Sequence, residues 1–202
     1  VRVCFEKSFC LSADVTAAYD PNFSDVYEKR NAAYLNYGIG LCKYTGARGM
    51  SGASDADAET VAYIRNVFDE AGVIWQIAEL GKVDAGGGGT VAMFMAERNI
   101  DTLDAGVPVL SMHAPFETVG KLDCYMTFKG MKAIYEAKGY PKDWIDKRLR
   151  GIAIRQNLTD EWKERGIREE RDFAILTAEI ARVTFGVTPS EHRAIKGLTK
   201  KG

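Results

Sequence analysis

Two side chains in this sequence have the types and setting to share a metal ion. His113, one of only two histidines in 202 residues, stands in the segment "VPVLSMHAPFE" (107–117). An apolar run ends there in Ser-Met-His, and Ala-Pro then stops any regular element. Asp14 ends a second apolar run and is followed at once by Thr16 after a single valine. A carboxylate and an imidazole are hard and borderline donors that suit a divalent cation. Open α/β sheets gather their ligands at the carboxyl ends of strands, where both residues are expected to fall. Glu117, four residues after the histidine, can hydrogen-bond or balance charge nearby. Each residue also has a plainer use: Asp14 can cap a turn, and a lone histidine is most often a satisfied surface or core residue.

A second feature is the run Gly86–Gly89. A strand, a glycine run and then a helix is the layout of a phosphate-binding turn. A P-loop needs Lys and then Ser/Thr directly after its last glycine, and here Thr90 follows alone. Dinucleotide spacing is absent too. What remains is a backbone that something approaches closely, or a turn that needs positive φ. A third feature is a charged tail in which Arg148, Arg150, Arg155, Arg165 and Arg168 could track phosphates. Acids interleave them, so only a weak nucleic-acid contact is expected. His192 sits on the same charged stretch with no visible partner.

These residues must be positioned by two different kinds of structure. Up to about residue 137, strand-like and helix-like segments alternate, which is an α/β pattern. Residues 1–15 read as strand, with Phe9, Leu11, Ala13 and Val15 alternating with polar positions. "IGLCKY" (39–44) reads as a short strand and "TGARGMSGASD" as a flexible loop. Asp55 or Asp57 caps a helix that Gly72 stops. "VIWQIAEL" reads as a strand, Thr90 stands near the start of a helix, "IDTLDAGVPVLSM" carries one or two short strands, and Glu117 to Ala137 reads as helix. Beyond Gly139 the pattern is helical throughout, with Thr188 as a cap, Pro189 in the first turn and Gly197 as a stop. The expected division is therefore 1–137, a partial mixed-sheet α/β domain, and 138–202, an all-helical segment.

Composition narrows the function classes. The net charge is −1, with acids prevailing in the first two thirds and bases from Gly139 onward. Cys4, Cys10, Cys42 and Cys124 form no Cys-x-x-Cys pair, which excludes a zinc ribbon, and they suggest a reduced, cytoplasmic protein. No apolar run reaches about 18 residues, so no membrane partner is expected. The opening "VRVCFEKSFC" lacks a signal-peptide pattern and an initiator Met, and reads like the middle of a strand.

Two resemblances join these readings. Residues 1–137, through "SADVTAAYDPNFSDVYEKRNAAYLNYG", "GVIWQIAELGKVDAGGGGTVA", "DAGVPVLSMHAPFE" and "KLDCYMTFKG", resemble the C-terminal half of the catalytic domain of the aspartyl-aminopeptidase (aminopeptidase I type) family of zinc metallopeptidases. The resemblance implies a two-zinc site on a mixed α/β sheet, release of N-terminal amino acids from peptides, and large homo-oligomers. It implies that Asp14 in "SAD" and His113 in "SMH" are zinc ligands. It further implies that Lys43 and Gly86, Gly87, Gly88 and Gly89 line the substrate cleft. Many members carry a histidine shortly after that aspartate; Thr16, Ala17 and Ala18 stand here, so that role is not carried over. Residues 139–202 are similar to a segment of the DNA-damage-inducible protein D family, a resemblance that implies helices but little chemistry.

A cocatalytic zinc pair needs more donors than Asp14 and His113, together with a proton-accepting glutamate. In the family those groups lie upstream of the segments matched here. The expectation is an incomplete half-site, inactive by itself. A non-enzymatic scaffold whose tail contacts DNA or a damage-response partner, and one half of a heteromeric or split peptidase, are the alternatives.

Overall fold

A strand whose side chains alternate between hydrocarbon and polar groups is at the centre of this molecule. In the computed structural model, which describes residues 1–47, 51–79, 81–82, 88–167 and 169–197, the run Asp101–Leu110 forms one ten-residue strand, β7. The other strands are β1 (Phe9–Ser12), β2 (Val15–Ala17), β3 (Ile39–Cys42), β4 (Tyr44–Ala47), β5 (Ser51–Asp55), β6 (Trp75–Ile77) and β8 (Thr118–Val119). The main sheet runs β1–β7–β3–β6. β1 and β2 both lie parallel to β7 along one flank. β3 and then β8 lie antiparallel to it along the other. β6 is parallel to β3. The sheet is therefore mixed, as expected. Pro108, which has no N–H for a ladder, falls on β7 between the stretch paired to β3 and the stretch paired to β8.

Leu103 and Ala105 point to one face of β7 and Thr102 and Asp104 to the other, because strand side chains alternate. The apolar face is covered by α2 (Ala58–Glu70) and α4 (Lys121–Ala137). Ile64, Phe68, Met126 and Ile134 pack there with Ile39, Leu41, Leu103 and Ala105. The close approach of the two helices requires Gly130, where an added Cβ would lie 3.0 Å from the Phe68 ring. Asp57 caps α2 by accepting the Thr60 N–H at 2.6 Å, and Gly72 ends it at φ +63°. α4 is tied to the loop before β3 through Asp123. This carboxylate is fully buried and accepts the backbone N–H groups of Asn36 and Gly38, each at 2.7 Å. Such a group is tolerated inside because charge-assisted bonds satisfy it.

Three expectations are corrected. Residues Arg2–Glu6 form a short helix, α1, instead of continuing the strand back to the start; β7, the partner of β1, begins opposite Phe9 and offers nothing to pair with them. "TGARGMSGASD", expected as a loop, contributes β4 and β5, an antiparallel hairpin held in part by the Thr45 and Ser54 hydroxyls at 2.7 Å. The helix expected from Glu117 starts at Lys121, because Thr118 and Val119 pair with Leu110 and Val109. The remaining helix of this part is α3 (Val91–Ala96).

Contacts cluster into two units, Val1–Pro141 and Lys142–Gly202. The second is helical: α5 (Lys142–Glu164), α6 (Glu170–Phe185) and α7 (Pro189–Ile195). Trp162 of α5 and Phe173 of α6 meet as a tilted ring pair with centroids 6.1 Å apart. Gly186 closes α6 in the left-handed conformation. Thr188 and Glu191 cap α7 reciprocally, with Pro189 in its first turn.

Candidate functional site

β1 and β2 are one strand interrupted. Phe9 to Ser12 pair with Asp101 to Asp104, and Val15 to Ala17 pair with Val107 to Val109, at the same offset. Ala13 and Asp14 occupy the break. Asp14 thus lies just past the end of β1, close to the strand end expected for it, and the strand resumes for three residues beyond it. The cause is local. The Asp14 Oδ1 accepts the Val15 N–H at 2.7 Å, turning the carboxylate onto its own backbone. Its carbonyl leans over Gly106, where a Cβ would lie only 1.6 Å from the Asp14 oxygen. The side chain is exposed, and among the described residues no hydrogen bond reaches its other carboxylate oxygen.

His113 is delivered by the turn between β7 and β8. Ser111 and His113 both adopt left-handed backbone, at φ +59° and +67°, a conformation that costs a non-glycine residue on the order of 1–3 kcal/mol. The turn is held by the Ala114 N–H donating to the Ser111 carbonyl at 2.9 Å. The His113 N–H donates to Glu117 Oε1 at 2.6 Å. Glu117 therefore serves the histidine's backbone, and the exposed imidazole has no bonding partner among the described residues. No hydrogen bond or ion pair joins it to Asp14 among those residues either.

Behind Asp14 the sheet carries a buried polar cluster. Ser12 and Cys42 stand opposite Asp104 on either side of β7, so all three side chains share the face turned away from α2 and α4. Asp104 is 6% exposed. Its Oδ2 accepts the Thr90 hydroxyl at 2.7 Å, and among the described residues Oδ1 has no partner of good geometry, although the Ser12 hydroxyl is near enough to act on the carboxylate. Burial pushes the Asp104 carboxyl above its ordinary range, the Ser12 and Thr90 hydroxyls pull it back, and the Asp14 carboxylate pushes it up again. Cys42 bonds the Thr16 hydroxyl at 3.3 Å, and its thiol is pushed up to about 12, chiefly by burial. Thr90 also caps α3, accepting the Ala92 N–H at 3.2 Å. Gly88 and Gly89 lead into that cap; Gly86 and Gly87 lie outside the described residues.

Lys43 is exposed and its Nζ pairs with Asp55 Oδ1 across the start of the β4–β5 hairpin. Glu79 lies within their field. Its carboxyl is raised by burial and by Asp55, and lowered by Lys43. Glu79 also acts on Cys42 and Asp55 on Glu79, so these acids and Asp104 are linked pairwise, and the sequence reading selected none of them as site residues. Asp104 had a visible signal, an acid set inside the apolar run "IDTLDAGVPVL". Among the described residues, no three His, Cys, Asp or Glu side chains group closely enough to hold a metal by themselves. The donors at Asp14 and His113 nevertheless have the right chemistry for zinc: one open carboxylate oxygen and one unengaged imidazole.

In the helical unit, Arg148 and Arg150 are exposed, while Arg165 pairs with Glu161 at 2.6 Å. Arg182 and Lys163 pair with Glu179 and Asp160 in the same way. Arg168 and the Arg155 side chain lie outside the description. His192 lies on α7, exposed. Among the described residues no helix is long and apolar enough to cross a membrane.

Comparison with known proteins places this arrangement in context. A family profile described as aminopeptidase I zinc metalloprotease (M18) matches residues 1–135. A probable M18 family aminopeptidase 1 of Clostridium acetobutylicum is 50% identical over 133 residues, covering 66% of this chain and 29% of the relative. The crystal structure of aminopeptidase I from the same organism superposes with a TM-score of 0.62 at 51% identity, over 65% of this chain and 29% of that one. A structure of the Saccharomyces cerevisiae mApe1 dodecamer gives a TM-score of 0.51 at 25% identity, over 67% of this chain and 28% of that one. The chain spans under a third of the length of the curated relatives it matches.

Proposed function

The chain belongs to the aminopeptidase I zinc metalloprotease (M18) family, and from that premise we propose that residues 1–137 form part of a metal-dependent aminopeptidase catalytic domain. In this reading Asp14 and His113 are zinc ligands, Lys43 and Gly86–Gly89 border the peptide, and residues 138–202 are a separate helical segment. The observation that supports it most is His113. A strained turn, braced by Glu117 through the backbone, holds out an imidazole that no described protein group engages. Strain of that kind is kept where surrounding structure has a use for it.

Zinc, when bound, supplies Lewis acidity toward a peptide carbonyl and toward water. The chain's own residues contribute positioning. Asp14 is fixed by its bond to Val15 and by the close pass over Gly106. Gly88 and Gly89 leave backbone open to an extended peptide, and Asp55 holds the Lys43 ammonium at the hairpin. Two protein donors give weak, exchangeable zinc binding. The same reading therefore expects the 202-residue chain alone to hydrolyse no peptide, with further ligands and the proton acceptor supplied by another polypeptide segment. Assembly of several copies is part of the proposal, since the mApe1 relative was solved as a dodecamer. The four free cysteines fit a reducing, cytoplasmic setting. The helical segment is read as resembling damage-inducible protein D from its sequence alone, and it is assigned no chemistry. Its paired arginines support only a weak nucleic-acid contact.

The test is zinc titration of the purified chain with a chelating dye, beside an aminoacyl-anilide assay. Asp14→Ala and His113→Ala are each expected to weaken zinc binding at least about 10-fold. Zinc binding indifferent to both substitutions would sink the ligand assignment. Tight stoichiometric zinc with turnover would show that the chain needs no further segment.

A further inference from the structure

Asp104 is a poor choice of residue if its only task is to fill a strand. It sits on the central strand, 6% exposed, between Ser12 and Cys42. Among the described residues its Oδ1 has no partner of good hydrogen-bond geometry, and a buried acceptor left so is destabilising, more when charged. An apolar side chain of similar volume would avoid that cost. What the carboxylate gains is connection. Oδ2 accepts the hydroxyl of Thr90, and that same hydroxyl accepts the Ala92 N–H at the start of α3. With both bonds made, the Thr90 rotor is fixed. Asp104 thereby ties the end of the glycine run to the sheet. Asp104 and Thr90 also border a small cavity, with room for about one water, that is lined by Ser12, Asp14, Thr16 and Thr45. Two residues along β7, Gly106 supports the Asp14 backbone.

We propose that Asp104 is a positioning residue of the cleft: it fixes the Thr90 turn that follows the glycine run relative to Asp14, so that the peptide-facing backbone and the metal-facing carboxylate keep one spacing. This rests on the reading of Asp14 and His113 as metal ligands for its second half. Its first half, the hold on Thr90, stands without a metal. Groups that orient a metal site from behind its ligands are commonly worth 10–100-fold in affinity.

The experiment uses the full chain and three substitutions. Asp104→Leu removes both acceptors while keeping the number and branching of side-chain heavy atoms, with two bulkier methyl groups in place of the oxygens. Thr90→Val removes the hydroxyl without touching the sheet, and Thr90→Ser restores it. Two quantities are read: hydrogen exchange at the Ala92 and Met93 amides, and the affinity and visible absorption spectrum of bound cobalt(II). Expected for Asp104→Leu are exchange at least 10-fold faster at those amides, cobalt affinity weaker by about 10-fold, a shifted cobalt spectrum, and a urea midpoint no lower than that of the parent. Thr90→Val reproduces the exchange result and Thr90→Ser reverses it. Should Asp104→Leu fail to fold, Thr90→Val and Thr90→Ser decide alone. Exchange and cobalt affinity within twofold of the parent overturn the proposal, as does a change fully accounted for by global destabilisation. Cobalt binding unmoved by Asp14→Ala and His113→Ala strikes instead at the ligand reading, and the exchange arm then judges Asp104 by itself.

Discussion

The two faces of β7 solve opposite problems with neighbouring residues. Leu103 and Ala105 meet Phe68, Ile64, Met126 and Ile134 in a continuous apolar layer. Asp104, one residue away from each, lies among the hydroxyls of Ser12 and Thr90 and the Cys42 thiol. One face is built from groups that gain by leaving water, at about 25 cal/mol per Å² of apolar surface. The other holds groups that lose by leaving it. The difference teaches that stability and the candidate chemistry are divided by the thickness of a single strand. Substitutions on the two faces should therefore separate cleanly, despite an α-carbon spacing of only about 3.8 Å between consecutive residues.

The largest effect should come from the apolar face. Phe68 is fully buried against Gly130 and Val73. Phe68→Ala should cost about 3–5 kcal/mol in urea unfolding. Cobalt(II) affinity, measured below the unfolding transition, should stay within twofold of the parent. A loss of metal affinity as large as that of Asp14→Ala would show that the faces are coupled. Gly106→Ala tests the reverse. The new methyl collides with the Asp14 carbonyl, so Asp14 or β7 must move. A cost of about 1–3 kcal/mol is expected, now accompanied by weakened cobalt binding. Equal weakening from both substitutions would erase the distinction.

How far the sequence revealed this layout follows the same division. The apolar face was legible because it obeys periodicity. Val61, Ile64, Val67 and Phe68 mark a helix stripe, and Asp57, Gly72, Thr90, Thr188 and Pro189 mark ends through local bonding alone. The polar face was less legible. Asp104 acquires its neighbours from Ser12 and Cys42, some 92 and 62 positions away, through strand pairing that no local pattern encodes. The break at Asp14 depends on Gly106 in the same way. The β4–β5 hairpin was obscured because its glycines and serines are turn formers with little strand preference, and tertiary pairing overrides them. His113 was visible as a residue, while its left-handed backbone and the role of Glu117 required the structure.

Cysteine reactivity gives a third comparison. Cys42 is buried on the polar face with its thiol pushed up to about 12, whereas Cys4 and Cys124 are exposed. The thiolate is the reacting form. At pH 8, alkylation by iodoacetamide followed by peptide mass spectrometry should label Cys4 and Cys124 at least about 10-fold faster than Cys42. Phe68→Ala should narrow that gap by populating opened states. Comparable labelling of all three in the parent would mean that the polar face is open to solvent.

The smallest effect should be a dependence of stability on pH at Glu79. Burial and the neighbouring Asp55 raise its carboxyl, and Lys43 only partly offsets them. Between the ordinary unfolded value, about 4.3, and the raised folded value, the folded state binds more protons than the unfolded one. Stability contributed by this residue must then fall as pH rises through that window and stay low above it. The usual carboxylate, held down by a cation, behaves in the opposite sense. Urea midpoints of the parent and Glu79→Gln, taken at intervals from pH 4 to pH 7, should therefore diverge, with the glutamine variant gaining relative to the parent toward neutral pH. A parent that gains relative to the variant over the same range would mean that Lys43 prevails, and that this edge of the polar face is organised by ion pairing with Asp55 and Glu79 together, not by burial.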